Sequence, residues 1–298
     1  MKTLIKNGKI VNVFTDELEE TNVLIEDGII VGVGDYCESD ADIIEDASGK
    51  YISPGFIDGH IHVESTMLMP AELSRICAEN GTTAIVTDPH EIANVCGRAG
   101  IDFMIEASRN LPIQIYFTLP SCVPSTGFDE SGAVLKADDL SSYYGRDNVI
   151  GLAEMMNYPG VLAGDEEVMK KISDALSKGL SVSGHAPLLS GRGLDKYISA
   201  GVQNDHECSS FEEALERIRK GQWVMIREGT AARNLDALLP LFDEPFSRRC
   251  LLVTDDKHPH DILNEGHING IIRKAVIMGK SPLTAIRAII RLLPRAVL

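Results

Sequence analysis

The sequence has no Cys-x-x-Cys pair, no apolar run of membrane-spanning length, and few cations for the number of its acids. Its six cysteines, Cys37, Cys77, Cys96, Cys122, Cys208 and Cys250, are scattered along 298 residues. That scatter argues against a disulfide framework and a thiolate zinc site and fits a reducing compartment. No stretch reaches the ~18 apolar residues of a transmembrane helix. The first eight residues alternate like a strand and lack the apolar core of a signal peptide. The expectation is a soluble, cytoplasmic protein with no membrane partner. Lys and Arg number 28 against 44 Asp and Glu, a formal net charge of −16. A surface of that sign repels phosphate backbones, which speaks against a nucleic-acid partner.

Low-complexity linkers and internal repeats are also missing, so the chain reads as one large domain plus one small. Residues 1–51 show no helical periodicity. Leu4-Ile5, Ile10-Val11 with Val13-Phe14, Val23-Leu24-Ile25 and Ile29-Ile30-Val31 with Val33 are short strand candidates, separated by Asn7-Gly8 and Asp27-Gly28. Such pairs between apolar runs are hairpin signals, and they predict a small N-terminal β-subdomain. From residue 52 to 298 the pattern changes. Strand candidates at 55–62, 82–87, 113–118, 149–154, 180–184, 201–205, 223–226 and 251–254 alternate with helical stretches such as 71–80, 165–178 and 210–220. Strands alternating with helices imply an α/β fold with a parallel sheet, and eight of them imply a (β/α)8 TIM-like barrel, which typically needs ~250 residues.

Barrel enzymes place their chemistry at the C-terminal ends of the strands. The strand at 55–62 ends in His60-Ile61-His62, and residues two apart on a strand project to one face, so both imidazoles can reach one ion. Alone, a His-x-His pair reads equally well as two half-exposed histidines; the other strand ends tip the balance. Glu154, His185, His206 and Asp255 each follow an apolar strand. Together with His60 and His62 they form an N/O donor set suited to Mn, Fe or Zn. Six ligands including a bridging carboxylate would hold two ions ~3.5–4 Å apart.

Other signals carry two readings. His90 and Glu91 could contact substrate or serve as accessory metal ligands, or be a turn pair satisfied by backbone. Glu64 makes a His62-x-Glu64 pattern, but no Pro-Cys-x-x-Cys follows, which excludes the zinc deaminase fold that uses one. Glu228 lines a pocket or pairs with Arg227 or Arg233. Residues 121–124 border the substrate or form an ordinary loop. His258 and His260 flank Pro259, so their spacing does not imply a common face, and they read as surface histidines.

Pro54-Gly55-Phe56-Ile57-Asp58-Gly59-His60-Ile61-His62 resembles the opening signature of the amidohydrolase superfamily. Longer runs, His62-Val63-Glu64-Ser65-Thr66, Thr87-Asp88-Pro89-His90-Glu91-Ile92-Ala93-Asn94-Val95, Arg227-Glu228-Gly229-Thr230-Ala231 and Thr254-Asp255-Asp256-Lys257-His258, resemble the adenine deaminase family in particular. The resemblance implies hydrolytic deamination of adenine to hypoxanthine and ammonia by a metal-bridged hydroxide. It implies two divalent ions, Mn2+ or Fe2+ with Zn2+ as a third choice. His60 and His62 would bind the buried ion and His185 and His206 the second. Glu154 would bridge both, where many amidohydrolases use a carboxylated lysine, and Asp255 would touch a metal and move protons. A homodimer is implied as well. Ring hydrolases such as dihydroorotase typically carry Lys at the position of Glu154, which discriminates against that alternative.

The resemblance ends near Arg287, where the family continues, completing the small β-subdomain and adding a further domain. Here 288–298 replaces that continuation. The expectation is an incomplete β-sandwich whose N-terminal strands lack partners, and a chain that folds poorly alone or is an inactive fragment.

Overall fold

The computed structural model describes residues 1–290, in two compact units, Met1–Gly55 and Phe56–Leu298. In the first unit the two expected turns behave differently. Asp27 and Gly28 both take positive φ, 49° and 83°. They join β4 (Asn22–Glu26) to β5 (Ile29–Gly34) as an antiparallel hairpin, as the mirror-image turn requires. Asn7-Gly8 does not make a hairpin. It is a corner at which β1 (Lys2–Lys6) leaves a sheet of order β5-β4-β1-β6, with β6 at Ile43–Asp46, and β2 (Lys9–Asn12) enters a second sheet of order β3-β2-β7. In that second sheet β3 is Glu17–Glu20 and β7 is Tyr51–Ile52. A Cβ on Gly8 would lie 2.6 Å from Ile52 and 2.9 Å from Ala47, so the corner needs glycine for close approach. Leu4, Val11, Val23 and Leu24 are buried, while the edge strand β5 leaves Ile29 66% and Ile30 62% exposed, an apolar edge of the kind folded proteins usually cover.

Among the described residues, the second unit holds eight strands in chain order: β8 (Phe56–Ile61), β9 (Thr82–Thr87), β10 (Gln114–Leu119), β11 (Val149–Met155), β12 (Ser181–Gly184), β13 (Asn204–Asp205), β14 (Trp223–Arg227) and β15 (Cys250–Val253). They form two parallel ladders, β8 to β12 and β13 to β15, each in sequence order. The free edges of the ladders lie side by side. Gln203 N donates to Val182 O at 3.0 Å, and Asp255 N donates to His60 O at 2.9 Å. Near-continuous apolar strands such as Cys250–Val253 are buried along their whole length, as parallel strands covered on both faces are. β13 is shorter than its pattern suggested because Gly201, at φ 107°, still belongs to the turn that closes the helix Gly191–Ser199.

Helices cover the strands. Glu166–Ser177 shows the local logic: Asp165 caps it by accepting from Glu167 N and Val168 N, acids fill its first turn, and Val168, Ile172 and Ala175 form its buried face. The helix Pro282–Ile290 buries Ala285, Ala288 and Ile289 and packs against β8 and β15. The rest of the tail that departs from the family pattern lies outside the described residues. Among those described, no helix is long and apolar enough to cross a membrane.

Candidate metal centre

Asp58, fully buried on β8, seats that strand beside β15. It accepts from His60 N (3.3 Å), Thr254 N (3.2 Å) and Thr254 Oγ1 (2.5 Å). This registers the end of β8, with His60 and His62, against Asp255. Asp255 takes a left-handed φ of 59°, which a short polar residue tolerates and which often marks functional sites.

The strand ends bring six of the expected residues together. His60 Nε2 and His62 Nε2 lie 3.5 and 3.2 Å from Asp255 Oδ1. His185 Nδ1 and His206 Nε2 lie 2.7 and 2.9 Å from Glu154 Oε2, and 3.2 Å from each other. Glu154 stands between the two sets, its other oxygen Oε1 3.4 Å from His62 Nε2. Donors that share an ion at ~2.0–2.2 Å must themselves lie roughly 3 Å apart, so both sets have the right span. Two further details fit a cation. His62 engages Asp88 O through Nδ1 at 3.1 Å, which leaves Nε2 for a metal, the usual arrangement of a ligating histidine. Among the described residues, His60 Nε2 is buried with no hydrogen-bond partner.

The protonation pattern reflects crowding. Burial pushes Glu154 up, yet hydrogen bonds from His185 and His206 override it and hold the carboxyl well below its usual range. Asp255 behaves alike: burial opposes its charge, and His60 and His62 keep it ionised. Burial opposes the charge on His62 too, but Asp255 and Glu154 raise it well above an ordinary imidazole, whereas burial and His206 lower His60.

The looser candidates divide. His90 joins the centre, its Nδ1 2.9 Å from Asp88 Oδ2 and 3.3 Å from Glu154 Oε1. Burial works against its charge, but Asp88 pushes its pKa up to about 9. Glu91 stands outside the ligand set, accepting from Ser65 at 2.9 Å, and Ser65 also donates to Asp256 at 2.5 Å. Glu64 accepts from Ile92 N at 3.2 Å, and burial pushes its carboxyl up to about 7. Glu228 pairs first with Lys274 (2.8 Å) and more distantly with Arg233 (3.8 Å), and lines a separate cavity of about 300 Å³. Ser121 donates to Glu154 O at 2.5 Å, bracing the end of β11. His258 and His260 are exposed.

Three residues at the centre carried no role in the sequence reading. Asp88 follows β9 and stands two before His90, the first residue of the next helix; Glu207 follows His206, and Arg227 is the last residue of β14. Arg227 Nη1 donates to Glu207 Oε1 (2.6 Å) and Asp255 Oδ2 (2.7 Å). Asp88 and Glu207 stand within two residues of a candidate ligand, which was the available signal for them; nothing in the sequence around Arg227 marks it.

Residues 51–287 match the amidohydrolase family profile. The chain belongs to the amidohydrolase family. Among curated members, it is 48% identical over 284 residues to an adenine deaminase of Clostridium acetobutylicum, covering 95% of this chain and 49% of that protein. It is 46% identical over 283 residues to an adenine deaminase of Bacillus velezensis, covering 95% of this chain and 48% of that one. The chain thus spans about half the length of the curated relatives it matches. Among solved structures, the dihydropyrimidinase of Brevibacillus agri superposes with a TM-score of 0.69 at 18% identity, over 97% of this chain and 80% of that one. A D-hydantoinase from a Bacillus species gives 0.67 at 17%, over 96% and 80%. These distant structures speak to the fold of this amidohydrolase alone.

Proposed function

We propose that this chain carries the catalytic centre of an adenine deaminase, which converts adenine and water to hypoxanthine and ammonia. The observation that carries the reading is Glu154, whose two oxygens face two different histidine sets. The 46–48% identity to curated adenine deaminases supports it. Residues 52–298 make a closed (β/α)8 barrel in this reading, supported by the Gln203–Val182 and Asp255–His60 hydrogen bonds between ladder edges, and residues 1–51 make the β-subdomain. A cytoplasmic homodimer completes it.

His60, His62 and Asp255 with Glu154 Oε1 would hold one divalent ion, and His185 and His206 with Glu154 Oε2 a second. Such a mixed donor set suits Mn2+ or Fe2+, with Zn2+ also accommodated. When bound, the ions supply the Lewis acidity that brings the ionisation of water near neutral pH. The protein's own part is proton movement and geometry. Asp255 Oδ2 is tied to Arg227, so Oδ1 is the oxygen that accepts the proton of the water adding at C6. The same oxygen returns that proton to the 6-amino group, and ammonia leaves in place of the far more basic amide ion. Ser65, Glu91 and Glu64 stand on the His62 side, as polar groups available to the purine ring.

The test is ammonia release from adenine by the Mn-loaded chain, with adenosine and guanine as controls and metal content measured on the same sample. Two bound equivalents without ammonia from adenine would overturn the reading.

A further inference from the structure

Arg227 stands between the two halves of the metal centre. Its Nη1 donates to Asp255 Oδ2 at 2.7 Å and to Glu207 Oε1 at 2.6 Å, and its Nη2 donates to Glu207 Oε2 at 3.1 Å. Glu207 Oε1 in turn lies 3.5 Å from both His185 Nδ1 and His206 Nε2. One guanidinium therefore joins the carboxylate of the His60–His62 set to the acid beside the His185–His206 set. All three side chains are largely withdrawn from solvent, at 12% exposure for Arg227, 16% for Glu207 and 5% for Asp255, so these charge-assisted bonds are little screened.

The backbone that carries Arg227 is pinned at the same place. Its N–H donates to Asn234 Oδ1 at 2.6 Å, and its carbonyl accepts from Asn234 N at 3.0 Å. Asn234 Nδ2 donates to Cys208 O at 2.9 Å and His206 O at 3.3 Å, which ties the end of β14 to the segment that bears His206 and Glu207. A carboxylate left to itself can turn about its last torsion and offer either oxygen. Asp255 cannot do so freely, because Oδ2 is occupied by a planar, permanently charged fork whose direction is set by Glu207 and Asn234. A lysine, as a point charge on a flexible stem, would not hold both acids in one geometry.

We propose that Arg227 is a positioning residue of the metal centre. It fixes which oxygen of Asp255 faces the imidazoles and couples the two ligand sets through Glu207. This rests on the two-ion reading above but not on the identity of the substrate.

The test uses the full chain, stripped of metal and titrated with Mn2+ alone. Bound metal is counted, and the exchange-coupled signal of a manganese pair is followed by electron paramagnetic resonance. Adenine turnover is measured separately. R227Q is expected to keep the far-ultraviolet dichroism of the parent, bind its second Mn2+ about 10–100-fold more weakly, and lose much of the coupled signal, the range seen when an outer partner of a metal ligand is removed. Turnover should fall through kcat, with KM little changed, and R227K should recover only part of both losses. Parental Mn2+ affinity and signal in R227Q overturn the proposal, as does a rise in KM alone, which would make Arg227 a substrate contact. If R227Q does not fold, E207Q removes one charge of the clamp and should weaken Mn2+ binding in the same direction; unchanged affinity there also overturns it. A parent chain that releases no ammonia, with R227Q still losing its second Mn2+, would sink the deaminase reading and leave this one standing.

Discussion

Asp58 Oδ2 and His267 Nε2 lie 3.2 Å apart, and neither side chain is exposed to solvent. His267 Nδ1 also meets Thr82 Oγ1 at 2.9 Å, so one ring links β8, β9 and, through Asp58, Thr254 after β15. Burial opposes a charge on His267, but Cys77 and Asp58 outweigh it and raise its pKa to about 10. An unfolded histidine titrates near 6.5. The stabilisation is therefore complete below about pH 6.5 and fades as the pH climbs toward the folded value of about 10. Urea midpoints should fall between pH 6 and pH 9.5 in the parent, and H267Q should lose that slope. H267A leaves Asp58 buried without its partner and should cost about 3–5 kcal/mol. A parent whose midpoint is flat across that range would show that the ring is neutral throughout.

Removing metal tests the role of Glu154. Chelation should abolish turnover, and Mn2+ should restore it. Each ion that binds only the folded chain adds stability, about 2.7 kcal/mol at a free concentration one hundred times its Kd. The melting temperature should therefore rise with added Mn2+. In E154A the two histidine sets lose the acid between them, so stoichiometry should drop below two and most of that rise should vanish. Two tightly bound ions in E154A would mean that the histidines and Asp255 suffice.

In the proposed mechanism Asp255 has both a ligand position and a proton to move. D255N keeps the shape and removes the basic oxygen. Turnover should fall by about 10²–10⁴, the usual contribution of a placed general acid–base group, with KM for adenine little altered. Metal content measured alongside separates the two roles. Loss of one ion assigns the fall to ligation, whereas full occupancy assigns it to proton transfer. D255N activity within tenfold of the parent would remove Asp255 from the mechanism.

The strands and the convergence of six histidines and acids could be read from the sequence because each signal is local: a short apolar run followed by His or an acid. The Asn7-Gly8 corner could not, since the same dipeptide serves a hairpin or a change of sheet, and Ile52 and Ala47, distant in sequence, decide between them. Arg227 and Glu207 escaped notice because charged residues beside a turn look like solvated surface until β13 and β14 are known to be neighbours. Glu228 lines a cavity and reaches Arg233 at 3.8 Å, two of the readings open to it, but its nearest partner was hidden for the converse reason. It closely follows a strand end but pairs with Lys274, 46 residues further on, from a helix whose packing no pattern near Glu228 announces.

Gly184 gives a test of how β12 meets β13. The two ladders are not joined by a regular register there; Asn204 bridges the gap, accepting from Gly184 N at 3.2 Å and donating to Ser183 Oγ at 3.3 Å. A Cβ on Gly184 would stand 2.2 Å from Asn204 O and 2.8 Å from Val202 Cγ1. The first of these is backbone, so G184A must push the strand ends apart. Overpacking of this kind costs about 1–3 kcal/mol, and the displaced residues include His185, next in the chain, and His206, two past Asn204. G184A should therefore lose stability in a denaturant titration and bind its second Mn2+ more weakly, since the His185–His206 pair spans this junction. If G184A keeps parental stability and metal affinity, β12 and β13 do not approach this closely, and the edge-to-edge closure that places both histidines beside Glu154 fails with it.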